Sequence, residues 1–300
     1  MKKSSVIITG ASGYIGSKLT LYLIKQNFDV HIITRKTSDL SCFEGYEARY
    51  SNHTYDGTID TLKEIFKLVK PSHVFHLASL FVSKHDDSNI TQLLASNIIF
   101  STHIVDAMVS QDVKYLINTG TNWQHYQDSI YNPVNLYAAS KQSFETILEF
   151  YIQTSELRVT TLKLFDTYGP NDTRKKILGL LDDYSKSNEA LSMSPGNQMI
   201  DMVYIDDVVK AYLVAYGSIQ NQINAHMQYG ITSNNPLSLK DLVIKFEEVL
   251  ETKVRINWGK LEYREREVMN PWSNSPQLPG WKPKVGLEEG LIKTFKQKSL

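Results

Sequence analysis

The stretch "NLYAASK", residues 135–141, sets Lys141 four positions after Tyr137. Four residues make about one turn of helix, so a helical segment would carry both side chains on one face. A phenol has an ordinary pKa near ~10, about three units too weak to exchange protons freely at neutral pH. A neighbouring ammonium favours the phenolate and brings that value down. The pair is therefore a candidate proton donor with the cation that tunes it. Spacing alone does not decide, because the chain holds 17 tyrosines and repeats the pattern at Tyr14 and Lys18. Just upstream, "NTGTNWQHY" offers hydroxyls that could hold a substrate oxygen, with Thr121 the choice and Thr119 the competitor.

A second group of residues reads as a phosphate cradle. "TGASGYIG" places Gly10, Gly13 and Gly16 between a short β-branched run and an amphipathic stretch. Glycines at that turn permit a tight bend and let backbone approach a pyrophosphate, which the helix N-terminus then attracts. In that context a dinucleotide is expected, and the spacing of Tyr14 and Lys18 becomes incidental. An NAD site usually carries a carboxylate about 20 residues beyond the loop. Here the second strand ends in "TRKT", so Arg35 and Lys36 stand where a 2′-phosphate would sit. Arginine grips phosphate bidentately, and NADPH is the expected cofactor.

The elements that must position these groups alternate. "SVIITG", "DVHIITR", "HVFHLAS", "YLINTG" and "LRVTTLKLF" read as strands. Helical stripes follow them at Ile15–Ile24, at Ile59–Val69 before Pro71, at about 89–109, and through "PVNLYAASKQSFETILEFYI". Repeated βα units of this length predict an α/β fold, a Rossmann-type doubly wound parallel sheet. After Pro170 the rhythm breaks into turn clusters, "MVYI" with a helix behind it, a capping box at Ser238 and Asp241, a short strand in "VRINW" and a last helix from about Leu287. The expected division is residues 1–168 for the dinucleotide and 169–300 for a smaller C-terminal α/β substrate domain, with segments free to cross between the lobes.

Composition narrows the class. Three hundred residues, with 32 basic side chains against 32 acidic, suit a globular protein with no nucleic-acid surface or basic membrane patch. The single cysteine, Cys42, excludes an internal disulfide and fits a reducing cytoplasm. The apolar run near the start is too short for a signal peptide, and no stretch is expected to span a membrane. His73 and His76 in "HVFH" face opposite sides of a strand and lack a third ligand, so no metal is expected. Trp123 and His125 are candidates for a pocket wall, with a packed loop as the alternative.

Taken in order, "GASGYIG", "HLAS", the Asn97 helix, "PVNLYAASK", "KLFDTYGP", "VYIDDVVKAY" and "PGWKP" resemble the extended short-chain dehydrogenase/reductase family of nucleotide-sugar epimerases, dehydratases and ketoreductases. The resemblance covers nearly the whole chain. It implies Tyr137 as acid/base, Lys141 as its partner on the nicotinamide ribose, and Thr121 at the substrate carbonyl. It implies a cofactor site of Gly10, Ser12, Gly13, Tyr14, Ile15 and Gly16, with Arg35 and Lys36, with Asp56 near adenine, and with Leu77, Ala78 and Ser79 along the cofactor. Asn97, Thr119 and Phe165 complete that set, and Thr121, Asn122, Trp123, Asp166 and Arg264 are the expected substrate contacts. A homodimer is compatible with it.

Departures from the family pattern point further. Dehydratases of the family follow the catalytic threonine with an Asp-Glu pair that eliminates water, and here Asn122 and Trp123 stand there. Epimerases usually retain NAD, whereas "TRK" favours exchangeable NADPH. The remaining chemistry is reduction of a sugar ketone, and "NTGTNWQHY…YNPVNLYAASK" looks most like the CDP-abequose and CDP-paratose synthases, which reduce the C4 ketone of a CDP-3,6-dideoxyhexulose for surface polysaccharide. An NAD-dependent 4-epimerase and a non-catalytic NADPH sensor are the alternatives. A diphosphate arginine common before "VYIDD" is Ile200 here, and the usual Arg and Asn before "YGP" are Lys163 and Asp166. An anionic Asp166 at a diphosphate would need a partner.

Overall fold

Short β-branched runs become the strands of one parallel sheet in the computed structural model, which describes residues 4–296. β1 (Ser5–Thr9) leads through the glycine turn into α1 (Tyr14–Lys25), then β2 (Asp29–Thr34) and β3 (Tyr50–Thr54). α2 (Ile59–Val69) is capped by Thr58, whose side chain accepts from Thr61 N–H, and ends at Lys70 in the left-handed region, one residue before Pro71. β4 (His73–His76), α3 (Asp87–Leu94), α4 (Phe100–Ser110), β5 (Tyr115–Thr121), α5 (Leu136–Thr154) and β6 (Arg158–Leu164) follow. Between α3 and α4 the helix widens into a π-turn, Ala95–Ile99.

The rest of the chain alternates between the sheet and a smaller lobe. It forms β7 (Asp166–Tyr168), α6 (Ile177–Ser185), β8 (Leu191–Ser192), β9 (Met199–Ile200) and β10 (Met202–Tyr204). Then come α7 (Ile205–Ser218), β11 (His226–Ile231), β12 (Leu237–Ser238), α8 (Leu239–Leu250), β13 (Ile256–Asn257) and α9 (Leu287–Leu291). Two-stranded pairs β7 with β10, β9 with β12 and β8 with β13 build that lobe over the sheet's carboxyl edge. α7 and β11 lie past residue 168 and yet belong to the main layers, α7 against α1 and β11 beside β6. A division at 168 therefore follows the chain rather than the layers.

The sheet runs β11-β6-β5-β4-β1-β2-β3, and every pairing is parallel. The order of strand connection reverses between β1 and β4, the place where a crevice opens at the strand ends of a doubly wound sheet. One face buries Ile7, Leu62, Phe66, Ile104, Met108, Phe144 and Leu148. The other buries Ile8, Leu19, Leu23, Phe75 and Tyr212 and runs on into the lobe through Val208, Leu242 and Phe246.

Three sequence expectations need correction. β3 had no predicted counterpart, because "YSNHT" is an edge strand with no buried residue and so no apolar period. Pro133 lies outside α5, which begins after Asn135; the Asn135 side chain accepts from Ala138 N–H at 3.0 Å. The continuous helical run Asp87–Ser110 is long and apolar enough to cross a membrane by length and composition, against the expectation of none. Its Leu93, Ile104, Val105 and Met108 are instead packed in the core, the way an interior helix meets the same test.

"VYIDD" and "PGWKP" meet at one buried carboxylate. Asp207, fully buried, accepts from Lys284 N–H and Val285 N–H at 2.8 Å each, and the Trp281 indole donates to its backbone carbonyl at 2.8 Å. Asp207→Ala would leave these two part-buried donors without their acceptor. It is expected to lower unfolding stability by about 2–4 kcal/mol in a denaturant titration, with little loss if the strap does not depend on this side chain.

Candidate active site

The crevice at the switch point is a cavity of about 1020 Å³. β5 brings Thr119, Gly120 and Thr121 to its wall, and the next turn adds Asn122 and Trp123. α5 supplies Tyr137 and Lys141, held in place because Asn135 caps the helix and donates to the Val82 and Ser83 carbonyls at 3.3 and 2.9 Å. That one side chain fastens the loop after β4 to the first turn of α5. Phe81 on this loop meets the Tyr137 ring edge to face at 5.0 Å and the Trp123 ring at 5.7 Å. Tyr137 thus sits between an aromatic wall and the Thr121 turn.

The two threonines are distinguished by their partners. Thr119 Oγ1 donates to the His76 carbonyl at 2.8 Å and meets the Tyr212 hydroxyl at 2.7 Å. Thr121 Oγ1 caps the turn that follows, accepting from Trp123 N–H at 3.3 Å in a capping box with Gln124, and donates to Asn122 Oδ1 at 3.5 Å. The Thr119 hydroxyl is held by short bonds and the Thr121 hydroxyl by long ones, so Thr121 is the more readily available of the two to a ligand.

Burial, not Lys141, dominates the tyrosine. Crowding pushes the Tyr137 phenol up to about 12, while a hydrogen bond with Ser79 and the Arg174 charge pull it back. This corrects the expectation that Lys141 lowers it. Lys141 is itself pushed down to about 8 by burial, with Glu145 opposing that change and Lys163 adding to it. At neutral pH the phenol keeps its proton and the ammonium is mostly charged. Lys141 Nζ is buried without a hydrogen-bond partner.

The glycine turn fits a dinucleotide backbone. Gly10 has φ +70°, and a Cβ there would come within 2.6 Å of Ala78 N. A Cβ on Gly16 would fall 2.0 Å from the Gly10 carbonyl oxygen. The loop therefore needs bare backbone at both places, as close approach to a pyrophosphate requires. The orphaned Lys141 ammonium is a ready donor to ribose hydroxyls. Ile15, Leu77, Ser79 and Phe165 line the cavity between these groups, as do Asp166 and Arg264 on the lobe side.

Other predicted residues lie apart from the cavity wall. Ser12 and Gly13 are exposed on the turn, and Arg35 and Lys36 are exposed at the end of β2. Asp56, past the end of β3, accepts from Thr58 N–H at 2.9 Å and from Thr58 Oγ1 at 2.8 Å, so part of its carboxylate already serves the start of α2. The Tyr14 ring turns toward the lobe, with the Arg174 guanidinium 4.4 Å from its centroid. Asn97 is a correction: it is fully buried and spent on protein groups. Its Oδ1 accepts from Leu80 N–H at 2.7 Å and Ser79 Oγ at 3.0 Å, and its Nδ2 donates to the Leu80 carbonyl at 3.0 Å and Ser140 Oγ at 2.9 Å. Asn97 shapes the loop that faces the cofactor and has no donor or acceptor left for it. His125 also departs from a pocket role, stacking on Trp272 at 3.8 Å.

Several groups escaped sequence reasoning. Arg174, Lys176 and Arg266 line the lobe side of the cavity, although Ile200 replaces the usual arginine. Lys176 pairs with Asp166 at 3.2 Å, the partner that carboxylate needed. Glu145 continues the four-residue spacing of Tyr137 and Lys141, a signal that was present and passed over. His73 and His76 do face opposite ways, His73 toward Tyr216 and His76 toward Phe144. Among the described residues no cluster of three or more His, Cys, Asp or Glu could hold a metal.

Comparison with known proteins shows the family and the fold. The profile of the "NAD dependent epimerase/dehydratase family" matches residues 6–230. The chain is 31% identical to a CDP-abequose synthase of Yersinia pseudotuberculosis, over 89% of this chain and 91% of that one. It is 24% identical to a CDP-abequose synthase of Salmonella typhimurium, over 98% of each. Among solved structures, a UDP-glucose 4-epimerase of Thermotoga maritima with UDP-glucose superposes with a TM-score of 0.82 at 23% identity, over 97% of each chain.

Proposed function

We propose, for a chain that belongs to the NAD-dependent epimerase/dehydratase family, NADPH-dependent reduction of the C4 ketone of a nucleotide-activated deoxysugar, with a CDP-4-keto-3,6-dideoxyhexose as the leading substrate. The observation that carries this reading is the set around the phenol. Tyr137 holds its proton, Thr121 lines the same cavity with a hydroxyl held only by long contacts, and the two positions after Thr121 carry Asn122 and Trp123 rather than carboxylic acids. The two CDP-abequose synthases support the substrate class. Action in the cytoplasm, in the making of deoxysugars for surface polysaccharide, goes with it.

The residues divide the work. Bound NADPH would supply the hydride to C4. Thr121 holds the ketone oxygen, and Tyr137 delivers a proton to that oxygen as it gains negative charge. Lys141 holds ribose hydroxyls and keeps positive charge near the phenol. Phe81 and Trp123 present apolar faces to the sugar and exclude water. Arg264 and Arg266 offer positive charge for a diphosphate, while Arg174 and Lys176 are already paired with Asp172 and Asp166.

Two measurements test the reading. Purified protein should oxidise NADPH with a CDP-linked 4-keto-3,6-dideoxyhexose and release no water from a CDP- or dTDP-linked 6-hydroxy hexose, with or without NAD. A steady yield of 4-keto-6-deoxy sugar would replace reductase by dehydratase. Arg35→Ala should weaken NADPH binding by about 1.5–3 kcal/mol, the range for a hydrogen bond to a charged group, and leave NADH nearly unchanged. Equal losses for both cofactors would show that Arg35 does not read the 2′-phosphate.

A further inference from the structure

Behind the candidate triad lies a buried ion pair that the reaction does not touch. Tyr137, Lys141 and Glu145 succeed one another at four-residue intervals on α5. Glu145 and Lys163 are 2% and 0% exposed. Lys163 Nζ donates to the two Glu145 oxygens at 2.9 and 2.7 Å. Gln124 Nε2 donates to the same carboxylate at 2.9 Å, and Gln124 Oε1 accepts from Thr121 N–H at 2.9 Å. Lys163 reaches this point by running beneath its β5 neighbour Gly120, where a Cβ would come within 2.7 Å of Lys163 Cδ and 2.9 Å of Gln124 Oε1. The glycine between the two threonines thus makes room for the network.

Such a pair is not explained by stability. Apolar side chains of similar volume often replace a buried ion pair without loss, because desolvation offsets the attraction. We propose that Glu145 and Lys163 are positioning residues, which fix Thr121 through Gln124 and set the charge on Lys141 by facing it with one charge of each sign. The inference rests on the roles given above to Thr121, Tyr137 and Lys141.

The surroundings leave these two as the charged neighbours of that ammonium. On α5 it faces Tyr137 and Glu145, on β4 His76, and on β6 Lys163. His125, in the turn after β5, is held down to about 4 by burial and Lys163. His76 is held down to about 3 by burial and Lys141. Both are neutral near pH 7, as are Tyr137 and, on α7, Tyr212, while Arg174 acts on the phenol. Glu145 draws the Lys141 proton tighter and Lys163 loosens it.

Opposite single substitutions should therefore act oppositely. With wild type, Glu145→Gln, Lys163→Gln and the double variant, kcat and NADPH affinity are measured against pH. In wild type both should fall at high pH as Lys141 loses its proton. Glu145→Gln leaves Lys163 alone beside Lys141 and should move that limb to lower pH by roughly one unit or more. Lys163→Gln leaves Glu145 alone and should move it to higher pH. The double variant, which removes both charges of the pair, should lie between them. Movement of both single variants in one direction, or of neither, overturns the proposal, since packing loss has no sign.

If the single variants fail to fold, the double variant decides. Its kcat should drop about fivefold at unchanged KM for NADPH, the difference between a charge-assisted and a neutral hydrogen bond behind Thr121, and unchanged kcat overturns the proposal. Failure of wild type to reduce any 4-ketosugar nucleotide would count against the proposed function. The NADPH-binding limb would then judge the ion pair by itself.

Discussion

Replacing Tyr137 by phenylalanine is expected to lower kcat by about 10²–10⁴-fold, the range for a positioned general acid, with NADPH affinity and thermal stability near wild type. The substitution deletes one oxygen and keeps the ring that meets Phe81 at 5.0 Å. The oxygen shares a hydrogen bond with Ser79, whose hydroxyl keeps its bond to Asn97, so the fold should respond little. Stopped-flow reduction of a 4-ketosugar nucleotide, in a regime where chemistry limits the rate, is the deciding measurement. A Phe variant with near wild-type kcat would reduce Tyr137 to a residue of the helix surface, as its spacing alone allowed.

Lys141→Met should produce a less common combination, a protein that is more stable and nearly inactive. Burial lowers the Lys141 pKa from the ordinary 10.5 to about 8. The folded state therefore binds that proton less tightly than the unfolded chain does. Between pH 8 and 10.5 wild-type stability should rise with pH, because the unfolded chain holds more protons there. Below pH 8 the whole cost of burying the charge is present, about 3 kcal/mol from a shift of that size. Methionine fills the same volume without it. Function should move the other way, with cofactor binding weaker by about 1.5–3 kcal/mol as the ribose loses a charged donor, and with slower reduction besides. Denaturant unfolding at pH 7 and at pH 10, read beside NADPH titration, checks both halves. Loss of stability at pH 7 would show that the ammonium has a partner and is not carried at a cost.

Legibility in the sequence tracked local chemistry. The glycine turn, the four-residue spacing of Tyr137 and Lys141, the Ser238 cap and the buried strands all announce themselves within a few residues, and they stand where the pattern placed them. β3 was invisible because its partner β2 supplies the order that its own polar side chains lack. Asn97 was misassigned because its work is done on Leu80 and Ser140, 17 and 43 residues away, and nothing local marks an amide whose four bonds all go to protein. Lys163 looked like a lost arginine in "KLFDTYGP". Its partner Glu145 stands on another element, so the pair becomes one object only when β6 and α5 are packed together. The cations of the lobe were missed for a similar reason, since Arg174 and Lys176 come to the cavity from a turn with no period of its own.

The π-turn at Ala95–Ile99 gives the helix run beneath the site one residue of slack. A wide turn holds one residue more than an α-turn, so the downstream phase is that of an α-helix one residue shorter. Before it, Leu93 faces the core. After it, Ser101 meets the His76 ring at 2.8 Å, and Ile104 and Met108 are buried. Rewinding the segment as α-helix at its present length would rotate everything downstream by about 100° and take Ser101, Ile104 and Met108 from their partners together. Loss of one residue with the turn tightened to α would keep that phase and leave α4 seated. Asn97 is the constraint, because its amide ties the loop to α5 from inside the turn. Shortening by one residue should therefore spare the core and disturb the loop that faces the site.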